Sequence, residues 1–289
     1  MPNPKSPLRY PGGKASLSVF LSEVLDQNGI KDGAYAEPYA GGAGAALELL
    51  MAEHVQQIIL NDADPCVFSF WHAVLNQTEE LIRLIRETPV TIDEWRHQRE
   101  VYRQHTRHPR LSVAFATFYL NRCNRSGIIA NGGPIGGLAQ EGEWTLDARY
   151  NTEELISRIE RIHFYGDRIT LYNLDAIDFL RTVMPRGRHL DNTLIYLDPP
   201  YYLKGCQLYL NYYAHQDHAR LATYLMGRRS LRWLLTYDAV PQVETLYSGC
   251  HQVEFYLSYS AHTRKEGREL LIHRDDLVVP LDSLVTEPQ

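Results

Sequence analysis

The sequence predicts an α/β fold, one sheet interrupted by a mostly helical insertion. Three observations predict it. Strand and helix patterns alternate at both ends of the chain. Between them, over residues 67–166, apolar residues recur mainly at helical spacing. Late in the chain a run of β-formers, TLIYL, stops on an acid, two prolines and two tyrosines, DPPYY. One body of 1–66 plus 167–289 and an inserted body of 67–166 follow from this reading.

Taken in order, AYAEPYAGGAG (34–44) reads as a strand and a glycine turn, followed by the helix AALELLMAEH. VQQIILNDAD (55–64) is a strand ending on acids. From Pro65 to Thr88 the apolar positions Val67, Phe68, Trp71, Leu81 and Ile85 fall at helical spacing. Helix continues through Arg107 and again over 111–122. SGIIANGGPIGG (126–137) is a loop or hairpin with its tip at Asn131-Gly132. NTEELISRIERI begins a helix capped by Asn151 or Thr152. Alternation then returns: strand and helix in RITLYNLDAIDFL, strand in LIYLD, helix in HQDHARLATYLMG, strand in RWLLTYD. VEFYLSYS and ELLIHR read as an antiparallel pair at a sheet edge.

Composition narrows the class. At 289 residues the chain can bury a large core. No apolar run approaches the length of a membrane span, and the start has no signal-peptide core. Cys66, Cys123, Cys206 and Cys250 form no CxxC pair, which argues against zinc and disulfides and for the cytoplasm. The net charge of −6 argues mildly against nucleic acid. Its distribution argues the other way: residues 95–110 hold five arginines and one glutamate. Arg99, Arg103 and Arg107 form one stripe if this is helix, either a solvated face or a phosphate-contacting one.

Chemistry concentrates at strand ends. Gly42 and Gly44 open a dinucleotide-like turn whose third glycine is missing, so it is a structural turn or a cofactor loop. Glu37 before it would repel a pyrophosphate and suit a cofactor carrying an amino group. Asp62 ends the next strand, where an acid commonly accepts from ribose hydroxyls. Asp175 either reads an adenine amine or caps a helix. At Asp198, Pro199 and Pro200 remove two N–H donors, so the turn offers acceptors: the Asp198 carboxylate and the Pro199 carbonyl. Two acceptors suit the two hydrogens of an NH₂ group, and Tyr201 adds a flat ring beside them. The alternative is a rigid strand exit with Tyr201 packed inside.

With these pieces assembled, the sequence resembles the Dam-type DNA adenine N6-methyltransferases. LRYPGGK (8–14), EPYAGGAG (37–44), LND (60–62) and LDPPY (197–201) carry the resemblance in that family's order. LNRCNRSG (120–127) is a fainter match, as are NLDAIDF, LLTYD and the late ELLI.

The resemblance implies a Rossmann-like methyltransferase sheet, with a target-recognition region inserted after the second strand, and S-adenosylmethionine as methyl donor. Tyr10, Gly13 and Lys14 would lie near that cofactor, Glu37, Pro38 and the Gly42–Gly44 loop at its methionine end, and Asp62 at the ribose. Asp175 would serve the cofactor's adenine and Asp198 the target amine. Tyr10 stands where close relatives of Dam carry tryptophan. The expected partner is double-stranded DNA, entered by flipping the target adenine onto Tyr201. Arg99, Arg103 and Arg107 would contact phosphates, and Arg122, Asn124 and Arg125 would lie near the bases. A monomer is expected, needing no metal, with a cognate restriction enzyme as a candidate partner. The GGPIGG stretch does not follow Dam, so the resemblance gives no target sequence.

Overall fold

The computed structural model describes residues 5–9, 14–203, 213–259 and 265–284. A seven-stranded sheet runs through the chain in the order β3-β2-β1-β4-β5-β7-β6. Its strands are β1 (Ala34–Glu37), β2 (Gln57–Asn61), β3 (Ile169–Tyr172), β4 (Thr193–Leu197), β5 (Arg232–Asp238), β6 (His251–Tyr259) and β7 (Lys265–His273). The first five are parallel, and β7 enters antiparallel between β5 and β6. The expected edge hairpin is there, with β6 outermost. The chain leaves β1 toward β2 and later returns on the other side of β1 as β4. That reversal opens a crevice beyond the carboxyl ends of β1 and β4, the usual ligand position in such sheets.

The central strands are buried throughout, which explains their unbroken apolar runs. Strand alternation divides their side chains between two cores. Tyr35, Ile58, Leu60, Leu194, Tyr196, Leu234 and Leu271 face one side. They pack with α1 (Ser18–Gln27) and α2 (Gly44–Met51). Ala36, Ile195, Leu197, Trp233, Leu235 and Ile272 face the other. There α8 (Ala176–Thr182) and two helices later in the chain cover them. These two, α10 (His215–Met226) and α11 (Pro241–Leu246), bury Leu221, Leu225 and Val243. Each fully buried Leu or Val contributes about 1.5–3 kcal/mol over exposure, so both layers matter to stability. The short α9 (Arg188–Asp191) leads into β4.

Between β2 and β3 the chain is helical: α3 (Pro65–Asn76), α4 (Thr78–Glu87), α5 (Ile92–Arg103), α6 (Arg110–Cys123) and α7 (Thr152–Phe164). Local chemistry sets their starts. Asp64 accepts from Cys66 N at 2.7 Å with Pro65 in the first turn, Thr91 accepts from Glu94 N, and Asn151 accepts from Glu154 N. The helical pattern over 65–88 is two helices, broken at Gln77, whose backbone is not helical. Helix does not continue to Arg107 either. It ends at Arg103 and a 3₁₀ turn follows over His105–Arg107. These helices share a core with the α1 and α2 side of the sheet: Trp71, Phe118 and Ile159 belong to the same cluster as Leu47 and Tyr196. The 126–137 loop closes on one antiparallel bridge, Asn124 with Pro134.

The segment before Tyr10 is strapped to α6. Arg9 N donates to Asn121 Oδ1 at 2.7 Å, and Asn121 Nδ2 returns to Arg9 O at 2.6 Å. Gly127 lies against the same carbonyl: its φ is +73°, and a Cβ there would stand 2.5 Å from Arg9 O, so glycine is required. No helix among the described residues is long and apolar enough to cross a membrane.

Candidate active site

Four strand ends and the middle of β7 converge at the crevice. β1 supplies Glu37, β2 Asp62, β4 Asp198, β5 Thr236 and Asp238, and β7 Glu269. Period-two alternation places Glu37 with Tyr35, Asp198 with Tyr196, and Thr236 with Leu234, so these polar groups rise from the face that packs on α1 and α2.

The glycine turn is clamped from three sides. Gly41 N donates to Asp62 Oδ2 at 2.8 Å, and Trp71 of α3 donates its ring N–H to Gly41 O at 2.8 Å. Asn61, fully buried, donates to the carbonyls of Pro38 and Leu174 at 2.9 and 3.0 Å. Ala43 sits at a φ of 46°, a left-handed conformation rare without glycine, and Gly44 opens α2. The α2 N-terminus is not open to a phosphate. Its Ala46 N–H is bonded to Glu37 Oε1, which also accepts from Tyr35 O–H at 3.1 Å. Burial pushes the Glu37 pKa up to about 8, against those two bonds. Asp62 accepts from Asp64 N as well, and burial, with Asp64 nearby, pushes it up to about 7.

Asp198 is the half-buried tip of a charged group. Lys14 Nζ lies 3.3 Å from Asp198 Oδ1 and 3.0 Å from Glu269 Oε2, and both partners' contacts are deep: Lys14 is 6% exposed and Glu269 1%. Tyr201, half-buried, donates its hydroxyl to Glu269 Oε1 at 2.6 Å. Thr236 Oγ1 donates to Asp198 Oδ1 at 3.0 Å. So Oδ1 takes both contacts, and no described residue hydrogen-bonds Oδ2. Burial and the Glu269 charge raise the Asp198 pKa to about 6 against the opposing Lys14. Burial works to lower the Lys14 pKa, but its two carboxylates raise it above the ordinary lysine value, so it stays charged. Pro199 and Pro200 are buried, and the turn beyond them is held by Asp238, which accepts from Tyr202 N at 2.9 Å and Leu203 N at 3.2 Å.

The strand exit at Asp198 is rich in acceptors, and one comparison decides the family. The family model for D12 class N6 adenine-specific DNA methyltransferases matches residues 10–269. The chain belongs to this family. It is an adenine-specific DNA methyltransferase, and its mixed α/β architecture with a mostly parallel seven-stranded sheet is consistent with a methyltransferase fold. A comparison with curated proteins gives no match.

The methyltransferase's structure treats the sequence candidates unequally. Glu37, Pro38, Gly42, Gly44, Asp62, Asp198, Pro199, Pro200 and Tyr201 lie on the strand exits and turns around the crevice, and Lys14 reaches Asp198. Tyr10, Gly13 and Cys206 lie outside the described residues. Asp175 is a helix cap: its Oδ1 accepts from Ile177 N and Asp178 N at the start of α8.

Arg122 and Asn124 do not face outward to bases. Arg122 is 9% exposed and donates to the carbonyls of Arg149 and Pro7. Burial beside Arg9 and Arg158 lowers its pKa to about 9. Asn124 is fully buried, accepting from Trp95 Nε1 at 2.7 Å and donating to Ile128 O. Both residues fix the fold of the insertion. Arg99, Arg103 and Arg107 do not form one helical stripe, because α5 ends at Arg103; Arg99 lies half-buried over the Trp95 ring. Arg103, Arg107 and Arg125 are exposed.

Residue-by-residue reading missed Glu269, Thr236, Asp238 and Asn61. Three were within quoted motifs, LLTYD and LND, and Glu269 opens ELLI. The available signal was an acid inside an apolar strand run, which is costly unless partnered.

Proposed function

We propose that the enzyme transfers a methyl group from S-adenosylmethionine to the N6 amine of an adenine flipped out of double-stranded DNA. The observation that carries this is the half-engaged carboxylate of Asp198, with Oδ1 held by Thr236 and Lys14 and Oδ2 taking no hydrogen bond from any described residue. Oδ2 and the Pro199 carbonyl offer two acceptors to the two hydrogens of an exocyclic amine. Those bonds favour a pyramidal nitrogen with its lone pair pointing outward.

The donor set supports the cofactor. Glu37 occupies the α2 N-terminus, which disfavours a pyrophosphate and suits an ammonium group, and Asp62 stands at the β2 end where a ribose is commonly held. When bound, S-adenosylmethionine would supply an electrophilic sulfonium methyl to the amine, with the neutral thioether as leaving group. The nitrogen then carries an excess proton, which leaves to Asp198 Oδ2 or to water. Alignment of amine and methyl contributes about 7–11 kcal/mol of the barrier reduction. Tyr201 offers a ring for the everted base, a contact worth about 1–3 kcal/mol, which offsets part of the unstacking cost.

Residues 1–66 and 167–289 form the catalytic body in this reading, and 67–166 recognise the target. Exposed Arg103 and Arg107, with Arg99, supply the phosphate contacts, and exposed Arg125 lies near the bases. The test is direct. Duplex DNA treated with enzyme and labelled donor, then digested to nucleosides, should contain labelled N6-methyladenine. Asp198→Ala should fold and give none; near-normal product from that variant rejects the assignment.

A further inference from the structure

We propose that Glu269 is a positioning residue for methyl transfer, holding Lys14 and Tyr201 so that the buried group keeps a net negative charge and Asp198 presents Oδ2 to the substrate amine. This rests on the reading of Asp198 as the amine-binding acid.

Lys14 is nearer to Glu269 than to Asp198. Its Nζ stands 3.0 and 3.2 Å from the two Glu269 oxygens and 3.3 Å from Asp198 Oδ1. Glu269 is 1% exposed and also accepts from Tyr201 O–H at 2.6 Å. Both its oxygens are therefore engaged beneath the site, and it acts through other residues. One lysine between two carboxylates leaves a net charge of −1 on the group. Buried charge without full compensation is costly, and such arrangements concentrate where chemistry uses them. Here the use is plain. The amine nitrogen passes from neutral toward cationic as it takes the methyl, and a fixed negative charge beside it favours that change. Without Glu269, Lys14 would be left to Asp198 alone, the pair would be neutral, and the carboxylate would be less basic. The Tyr201 ring would also lose its hydroxyl anchor.

The titratable groups facing Asp198 are Lys14, Glu269, Glu37, Tyr35 and Tyr196. Burial keeps both tyrosines neutral through the neutral range, and in the free protein Glu37 titrates at about 8, above Asp198 at about 6.

The experiment is single-turnover methyl transfer to duplex DNA between pH 5 and 8, on wild type, Glu269→Gln and Glu269→Asp. Glu269→Gln should slow transfer about 10–100-fold per folded molecule, a loss on the scale of one electrostatic contact, with donor affinity changed far less. Its acid limb should move to lower pH, and Glu269→Asp should recover part of the rate. An unchanged rate and limb in folded Glu269→Gln overturns the proposal. If that variant does not fold, Glu269→Asp decides: a slowed transfer with donor affinity nearly unchanged supports the proposal, and an unaltered rate overturns it. Wild-type product and the Asp198→Ala blank, read in the same assay, decide the amine-binding role separately.

Discussion

Thr236 gives its single hydroxyl hydrogen to Asp198 Oδ1 at 3.0 Å, so Tyr196, whose hydroxyl lies 2.8 Å from Thr236 Oγ1, must donate to Thr236 in turn. The chain Tyr196–Thr236–Asp198 has one direction, and it ends on Oδ1. Thr236→Val keeps the shape and removes the donor. It should lower kcat about 10-fold, the size of one lost hydrogen bond to a charge, with little change in donor affinity. It also leaves the buried Tyr196 hydroxyl without its acceptor, costing about 1–3 kcal/mol in denaturant unfolding. Full kcat in a folded variant means the threonine does not set the carboxylate.

Glu37 couples donor binding to protons. In the free protein its pKa is pushed up to about 8, so at pH 7 it is mostly protonated. A donor ammonium favours the carboxylate, and binding should release close to one proton. Calorimetry in buffers of different ionisation enthalpy measures this, and Glu37→Gln should abolish it. The same shift has a stability consequence. A pKa raised above the unfolded value gives stability that is present at low pH and lost as pH rises through about 8. Without donor, Glu37→Gln should therefore gain relative to wild type between pH 5 and 9. A pH-independent difference would mean that Glu37 is already ionised.

The arginines should separate by role. Arg122→Met strips the carbonyls of Arg149 and Pro7 of a buried donor and should destabilise the fold by about 1–3 kcal/mol, leaving the salt slope of DNA binding unchanged. Arg103→Ala should leave stability alone and reduce that slope by about one. Equal salt slopes in Arg103→Ala and wild type exclude a phosphate contact at Arg103.

Much of the fold was legible because its signals are local. Alternation marked β4 and β5, helical spacing marked α3 and α6, and Asn151 announced α7 by its side chain. The ends of helices were less legible: nothing in residues 95–110 says that α5 stops at Arg103. Arg122 and Asn124 misled for a physical reason. Polar residues near a glycine-rich loop read as ligand-binding, yet the loop and the strapped segment at Arg9 present carbonyls that need buried donors.

By itself the sequence determined the strand exits, the glycine turn and the acid at Asp198, because each depends on residues adjacent in the chain. Only the tertiary structure decided which acids meet. Asp198 and Glu269 are far apart in sequence and come together because β7 enters the sheet beside β5 rather than at its edge. That order follows from burying both faces of the sheet, a property of the whole chain. Lys14 stands between the two carboxylates at that encounter.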